Sequence, residues 1–545
     1  MKTKLALVVI IIIGFFFRFY MLGSVPAGLT SDEADTGYDA YSILINGRDQ
    51  WGKFLPITSF KGFGDNRSPL YTYLVVPSVA LFDLSAFAVR LPSALAGVFS
   101  VLFIFFLAKI MFDEVIGIIS SLFLAISPWS IGLSRQGIES NVGILLVIAG
   151  LYFILRGLNE KKYLFISAIL FIASIYTYTS YLVIAPLLLA SIFFINRKKF
   201  LKKKKQVAIF AVLFLIGIVP LFFLTSASSR FSQVGIGHDV TSQGLIEVLN
   251  QKIGTCQQQI PNVLCRVLDN KILLFTSTFF QNYLHHFSFD FLFLKGTTTQ
   301  YSLLPERGLL YLYEALLLIA GLYFLVRKKS FLAIVLLLCS VVPDAMSGGG
   351  HHSRASAMVP FLVIISSVGL VGLLKSFRYT KMKKYVGIGV ACCIFFAVIS
   401  FFVTYLTYFK NNYSSYSQYV YRDLSKDLAK QKSNYSKIYV SNYRNDTQQY
   451  IFYLFYNKID PRKVQSRQGI VLTNEDGGFI TVRKIDNIYF DNFIANPKIP
   501  EKYLNDKESL FIAHPDAFQK DVTVKKEYKD LSGGTNFEAV EYSQL

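Results

Sequence analysis

The sequence predicts a mainly α-helical, polytopic membrane protein that ends in a small α/β domain outside the membrane. Three observations carry this. The 545 residues are 53% hydrophobic and 16% aromatic, with a mean hydropathy of +0.43, too apolar for an ordinary soluble domain. Many runs approach the ~20 apolar residues that cross a bilayer. Beyond about residue 410 the pattern changes, and short β-rich runs alternate with polar turns.

The net charge of +20 is concentrated in short loops between apolar segments, at Arg197 to Lys205 (RKKFLKKKK) and Lys375 to Lys384 (KSFRYTKMKK). That placement follows the positive-inside rule, assigns these loops to the cytoplasm and argues against a nucleic-acid partner. Attraction to anionic membrane lipids follows as a by-product.

The elements follow in order. Lys2 and Lys4 precede an apolar run, Leu5 to Phe17. Bulky Phe19-Tyr20-Met21-Leu22 after Arg18 offers no small-residue cleavage site, so the run reads as a retained first span, 5–22, with a cytoplasmic N-terminus. Arg18 is expected to snorkel to the outer interface. An outer loop, 23–90, includes the short apolar stretch Leu70 to Phe82, which contains Pro77 and is expected to lie in the interface. Further spans read as 91–112, 115–132, 142–155, two within 163–195, and 207–224. After a long outer loop, 225–308, come 309–326, 331–343, 355–374 and 386–406, with a short outer loop at 344–354. The count is about eleven. Residues 1–409 form the membrane domain, and 410–545 an extracytoplasmic α/β domain.

In that domain a polar linker, 410–420, leads to strands at Lys437–Val440, Phe479–Val482, Ile488–Phe490, Leu510–Ala513, Asp521–Val524 and Phe537–Val540, with a helix at Asp446–Tyr456. Nothing in it suggests catalysis, so a binding, capping or stabilising role is expected. No internal repeat is visible. The five cysteines lack metal spacing. Cys339, Cys392 and Cys393 lie in apolar spans and are expected to pack there. Cys256 and Cys265 fall in the long outer loop, where an oxidising exterior permits a disulfide that the sequence leaves open.

Under this topology the unusual polar motifs all fall on the outer side, which suggests an active site between membrane and extracytoplasmic space. Thr30-Ser31-Asp32-Glu33-Ala34-Asp35 offers a carboxylate able to act as general base or to bind a cation. On sequence alone the better reading is the cap of a helix from Glu33 to Leu44, with Ser31 or Asp32 as N-cap. Gly62-Phe63-Gly64-Asp65-Asn66-Arg67 offers a close backbone approach and a forked donor suited to phosphate, or else a turn with an interfacial anchor. Arg135 and Glu139, four apart, are expected to share a helix face and could simply pair there. Ser347-Gly348-Gly349-Gly350-His351-His352-Ser353-Arg354 brings two imidazoles and a guanidinium toward a helix start, an arrangement suited to an anion. An outer Arg also runs against the positive-inside bias.

These residues carry a resemblance. Arg18-Phe19-Tyr20, Pro26-Ala27-Gly28-Leu29, Asp32-Glu33-Ala34, Gly37-Tyr38-Asp39-Ala40-Tyr41, Gly47-Arg48-Asp49-Gln50-Trp51-Gly52, Ser68-Pro69-Leu70-Tyr71 and Arg90-Leu91-Pro92-Ser93 occur in the order seen in GT-C superfamily membrane glycosyltransferases. The chain resembles the bacterial branch related to protein O-mannosyltransferases and the lipid A aminoarabinose transferase. Motif and order cover the first ~180 residues, and layout the rest. The resemblance implies a GT-C-like fold and a polyprenyl-phosphate-sugar-dependent glycosyltransferase. Its catalytic carboxylate would be Asp32, with Glu33 beside it. With the outer motifs read above, the donor phosphate and substrate are expected to be held by Asp65, Arg67, Arg135, Glu139, His351, His352 and Arg354, of which His351, His352 and Arg354 match a basic outer loop of the family in layout. The family's basic residue, usually Lys, falls near Arg67, with Ser68 in place of a Pro. The acceptor would be a protein, lipid or glycan hydroxyl. The spacing requires no cofactor, though the acidic loop leaves room for a divalent cation. A transporter or flippase of a lipid-linked sugar is the alternative, disfavoured because few charges lie within the spans.

Overall fold

The computed structural model describes residues 2–63, 66–223, 240–297, 307–377, 379–414, 417–441, 448–474, 480–491, 508–518 and 522–541. The chain divides into two compact units. The first comprises Met1–Arg18, Leu95–Ser134 and Ile138–Phe401; the second comprises Phe19–Ala94, Arg135–Gly137 and Phe402–Leu545.

The first unit is helical. Every apolar stretch read as a span contains a helix. Among the described residues five helices are long and apolar enough to cross a membrane: Ala86–Met111, Glu139–Gly157, Lys204–Leu221, Ser356–Ser376 and Lys381–Asn412. The pair Glu114–Ile126 and Pro128–Ser134, bent by 58°, makes a sixth if counted as one span. Lys162–Thr177, Tyr181–Ile195 and Leu332–Ala345 are apolar but shorter.

Two expectations are corrected in this unit. Arg18 does not snorkel. It is fully buried, and its guanidinium donates to Gly14 O (3.1 Å), Ala125 O (3.0 Å), Leu124 O (3.0 Å) and Ser130 Oγ (2.7 Å), while Nε reaches Ser134 Oγ (3.2 Å). The bend explains this. Four residues beyond Leu124 stands Pro128, which has no N–H to continue the helix ladder, so the Leu124 carbonyl takes its donor from Arg18. Gly97 keeps the space open, since a Cβ there would stand 2.1 Å from Ser134 Oγ and 2.6 Å from Arg18 Nε. Cys392 and Cys393 are exposed, not packed; lipid is as apolar as a protein core, so composition does not tell the two faces of such a helix apart. Cys256 and Cys265 form a disulfide, with Cα atoms 5.8 Å apart.

The second unit joins the segment after the first helix to the C-terminal region. Helices Ser31–Asn46 and Pro69–Phe82 flank a minimal hairpin in which strands β1 (Phe60–Lys61) and β2 (Asn66–Arg67) pair antiparallel. The C-terminal region carries a seven-stranded mixed sheet built from β3 (Lys437–Ser441), β4 (Ile470–Asn474), β5 (Ile480–Ile485), β6 (Ile488–Asp491), β7 (Ser509–Ala513), β8 (Val524–Lys529) and β9 (Thr535–Glu541). Its order is β4-β5-β6-β3-β7-β9-β8. Central β3 runs parallel to β6 and β7, and the other pairs are antiparallel. β3 and β7 are almost wholly buried, as strands at the centre of a covered sheet should be. The expected α/β domain is present, but β4 was not foreseen, and β8 begins where the strand expected at Asp521–Val524 ends. Helix Gln449–Tyr456, seven of whose eight residues are buried, packs against both Ser31–Asn46 and Tyr421–Gln431.

Candidate functional site

Helix Ser31–Asn46 organises the candidate site of the second unit. Its N-cap is Thr30, one residue before the expected positions. Thr30 Oγ1 accepts from Glu33 N (3.2 Å) and Glu33 Oε2 accepts from Thr30 N (3.0 Å), a complete capping box. At the far end Gly47, in the left-handed conformation (φ 69°), returns its N–H to Ile43 O.

Glu33 points inward and is buried. It accepts from Arg90 Nε (2.7 Å), Arg90 Nη2 (3.2 Å) and Gly137 N (2.8 Å). Burial pushes its carboxyl up, but the Arg90 charge and these hydrogen bonds outweigh it and hold the group below the usual carboxylate range. Arg90, itself buried, also donates to Leu22 O (3.2 Å), Pro26 O (3.0 Å) and Gly28 O (2.6 Å), fixing the chain that leads into the helix.

One helical turn on, two carboxylates share one guanidinium. Arg67 is 5% exposed and pairs with Asp35 and with Asp39 Oδ2 (2.8 Å); it also donates to Thr36 Oγ1 and Asp32 O (3.4 Å). Gln50 closes the network by donating from its side chain to Asp35 Oδ1 (2.5 Å) and from its backbone to Asp39 Oδ1 (3.0 Å). Burial, and then the neighbouring Asp35 charge, push Asp39 well above the carboxylate range despite Arg67. Asp32, in the first turn of the same helix, is by contrast exposed, where the helix N-terminus favours negative charge. Among the described residues no three His, Cys, Asp or Glu side chains gather as a metal site.

Asp65 lies outside the described residues. The helix face expected to join Arg135 and Glu139 does not exist. Arg135 stands in the turn after helix Pro128–Ser134, while Glu139 begins helix Glu139–Gly157. Arg135 is buried and donates to Tyr20 O (2.7 Å) and Val25 O (3.0 Å), with Cζ 5.4 Å from the Tyr405 ring centre.

In the first unit the Gly348-Gly349-Gly350 run adopts positive φ throughout (107°, 74° and 82°), a path open to glycine. It turns the imidazoles inward. His351 and His352 stack with ring centres 4.8 Å apart, Thr297 Oγ1 lies 3.3 Å from His352 Nδ1, and Trp129 Nε1 donates to His352 O (3.2 Å). Burial, then the Arg354 charge, bring His351 down to about 4; burial, then His351, hold His352 well below its ordinary value. Both are therefore neutral at physiological pH, and each ring has one N–H to donate. Arg354 Nη1 donates to Ser347 O (3.0 Å) and Ser347 Oγ (3.1 Å).

Sequence reasoning missed the clasp beneath this loop. His286 Nε2 lies 2.7 Å from Asp344 Oδ2, which also accepts from His351 N (2.8 Å), and both side chains are wholly buried. Asp344 Oδ1 is buried with no hydrogen-bond partner among the described residues. It also missed Arg307, whose guanidinium lies 5.5 Å from the Tyr311 ring centre and 5.3 Å from that of Phe401. Arg307 carried the same signal as Arg354, a basic residue at the outer start of a span.

Residues 66–223 match the family model for dolichyl-phosphate-mannose-protein mannosyltransferases. No curated protein sequence matches the chain. The structure is similar to ArnT of Cupriavidus metallidurans bound to undecaprenyl phosphate, with TM-score 0.55 and 12% identity over 99% of this chain and 98% of that one. For the apo state of the same protein the TM-score is 0.53 at 12% identity, over 98% and 97%. It is also similar to the Archaeoglobus fulgidus oligosaccharyltransferase tethered to an acceptor peptide, with TM-score 0.50 and 12% identity over 84% of this chain and 63% of that one. At such identities the likeness shows the fold. Fold and family model together bear out the GT-C superfamily resemblance read from the sequence.

Proposed function

We propose that the chain is a glycosyltransferase that moves a sugar from a polyprenyl-phosphate donor to an acceptor hydroxyl on the extracytoplasmic side of the membrane. The observation that carries this reading is the division of labour along one helix: Glu33, Asp35 and Asp39 are buried against Arg90 and Arg67, while Asp32 alone of the four is exposed.

Asp32 is the general base. Its carboxylate takes the acceptor proton as the hydroxyl oxygen attacks the anomeric carbon, and the bond from that carbon to phosphate oxygen breaks. A single displacement inverts the anomeric configuration. The departing polyprenyl phosphate gains negative charge, which forked and neutral N–H donors stabilise. Donors of this kind in the first unit are Arg354, Arg307 and the imidazoles of His351 and His352. Glu33 and Arg67, read from sequence as catalytic and phosphate-binding, act here as positioning residues, because their charged groups are turned to Arg90 and to Asp35 and Asp39. Asp35 and Asp39 likewise face Arg67, so no step is routed through a metal ion.

The test is transfer from labelled polyprenyl-phosphate sugars into envelope material by wild type and Asp32→Asn. Label appearing with wild type alone supports the reading. Full transfer by Asp32→Asn removes Asp32 from the mechanism. Leaflet exchange of a lipid-linked sugar by wild type, with no transfer from any donor, supports the flippase instead.

A further inference from the structure

We infer that the basic end of the first unit holds a site for an anionic phospholipid, with an acyl chain in an apolar cavity and the phosphate on the Arg197–Lys205 segment. The cavity has a volume of about 390 Å³ and is walled by residues such as Ile154, Leu164, Pro186, Phe194, Phe200 and Phe214. Every described residue around it is apolar, so none of them could pair with a sugar or a phosphate. A hydrocarbon chain needs no such partner. Two of its walls continue onto the outer surface, where Phe194 is 69% and Leu215 56% exposed. Lipid chains that cover that surface can therefore enter from the side.

The charged segment is fastened to the rim. Short helix Arg197–Leu201 buries Phe200 in the cavity wall, stacked on Phe193 with ring centres 5.8 Å apart. Lys203 Nζ donates to Gly157 O (3.0 Å) at the end of helix Glu139–Gly157. Arg197, Lys198, Lys199, Lys202, Lys204 and Lys205 stay exposed, and among the described residues none of the six forms an ion pair. The segment contains no Asp or Glu, and the nearby Glu160 is engaged by Arg156 (2.6 Å) and Lys162 (3.6 Å).

Six cations beside a dry, laterally open cavity match a molecule with an anionic head and a hydrocarbon tail. The positive-inside rule places this end in the cytoplasmic leaflet, whose lipids carry negative charge. The occupant that fits is a two-chain phospholipid of the phosphatidylglycerol type.

The test is native mass spectrometry of the full chain, taken from micelles doped with equal phosphatidylglycerol and phosphatidylcholine. Wild type is expected to retain phosphatidylglycerol about tenfold over phosphatidylcholine, and the triple variant Lys198→Gln/Lys199→Gln/Lys202→Gln to lose most of that preference, each surface charge being worth roughly fivefold. Removing basic residues can disturb topology, so Ala211→Trp, on the cavity wall, serves as an independent variant. It is expected to release both lipids with every charge in place. Equal retention of the two lipids by wild type, retention unchanged in both variants, or preferential retention of an added polyprenyl phosphate would overturn the inference.

Discussion

Arg90→Met tests the reading of Glu33 as a positioning residue. The substitution leaves the Glu33 carboxylate buried without its countercharge, which costs about 3–5 kcal/mol for a pair of this kind. It also removes the donor from three carbonyls, those of Leu22, Pro26 and Gly28, at about 1–3 kcal/mol each where water does not replace it. A loss of about 4 kcal/mol or more follows, which in a unit of this size lowers the melting temperature by about 8–16 °C. Glu33→Leu alone strands Arg90 and should cost a similar amount. The double variant Glu33→Leu/Arg90→Met buries no unpaired charge, so it should be more stable than the sum of the singles by about 3 kcal/mol.

The assay follows from composition. The chain has two tryptophans, Trp51 in the second unit and Trp129 in the first. In a Trp129→Phe background, thermal unfolding followed by Trp51 emission reports the second unit. The sign with pH is fixed as well. Glu33 has a folded pKa below its unfolded value of about 4.3. Its contribution is therefore complete above that value and is lost as pH falls through the folded one. Additive single-variant effects, or an acid dependence unchanged by Glu33→Leu, would refute the ion-pair account.

Asp39 has the opposite sign: its folded pKa lies above the unfolded value of about 3.9, so stability should fall as pH rises through that window, and Asp39→Asn should flatten the slope of Trp51 melting between pH 4 and the folded value. An unchanged slope would refute the upward shift of Asp39 by burial and by Asp35. Gly28→Ala should lower the same melting temperature, because φ is +74° and a Cβ would stand 2.6 Å from Ser417 O; the left-handed backbone alone costs about 1–2 kcal/mol, and wild-type stability would contradict the packing there. Reducing Cys256–Cys265, which closes a short loop, should weaken protease resistance of the adjoining helices by about 2–3 kcal/mol, and identical cleavage rates with and without reductant would count against it.

What the sequence revealed was local. Helix Ser31–Asn46 was legible because acidic residues mark its first turn and Gly47 its end. Its cap was misplaced by one residue although Thr30-x-x-Glu33 is a capping-box pattern. The short strands around Lys437, Ile488 and Leu510 showed as β-rich runs between turns, and the run Ile470-Val471-Leu472 offered the same signal for β4. The missed partners are distant in sequence. Arg90 meets Glu33 across 57 residues and His286 meets Asp344 across 58, and no spacing rule for helix or strand links such positions. The acidic cluster could be read as a site, but not which of its members faces outward. That depends on where Arg67 and Arg90 arrive.

Of the buried arginines among the described residues, Arg18, Arg90 and Arg135 share one role. Arg18 was expected at the outer interface and Arg135 among the substrate-binding groups, while Arg90 stood only in a family motif. Each instead donates to backbone carbonyls where the chain leaves regular structure: Arg18 at the break before Pro128, Arg90 along Leu22 to Gly28, and Arg135 at Tyr20 and Val25. Irregular backbone near a membrane needs donors that neither lipid nor a helix ladder can supply. A guanidinium, with five N–H groups in a fixed fork, meets several carbonyls at once where a lysine would meet fewer. Among the described residues, Arg307 differs from these three in lying against two aromatic rings, and Arg354 in donating to Ser347 alone. A guanidinium is therefore no sign of a ligand where its donors are already directed at the protein's own broken helices.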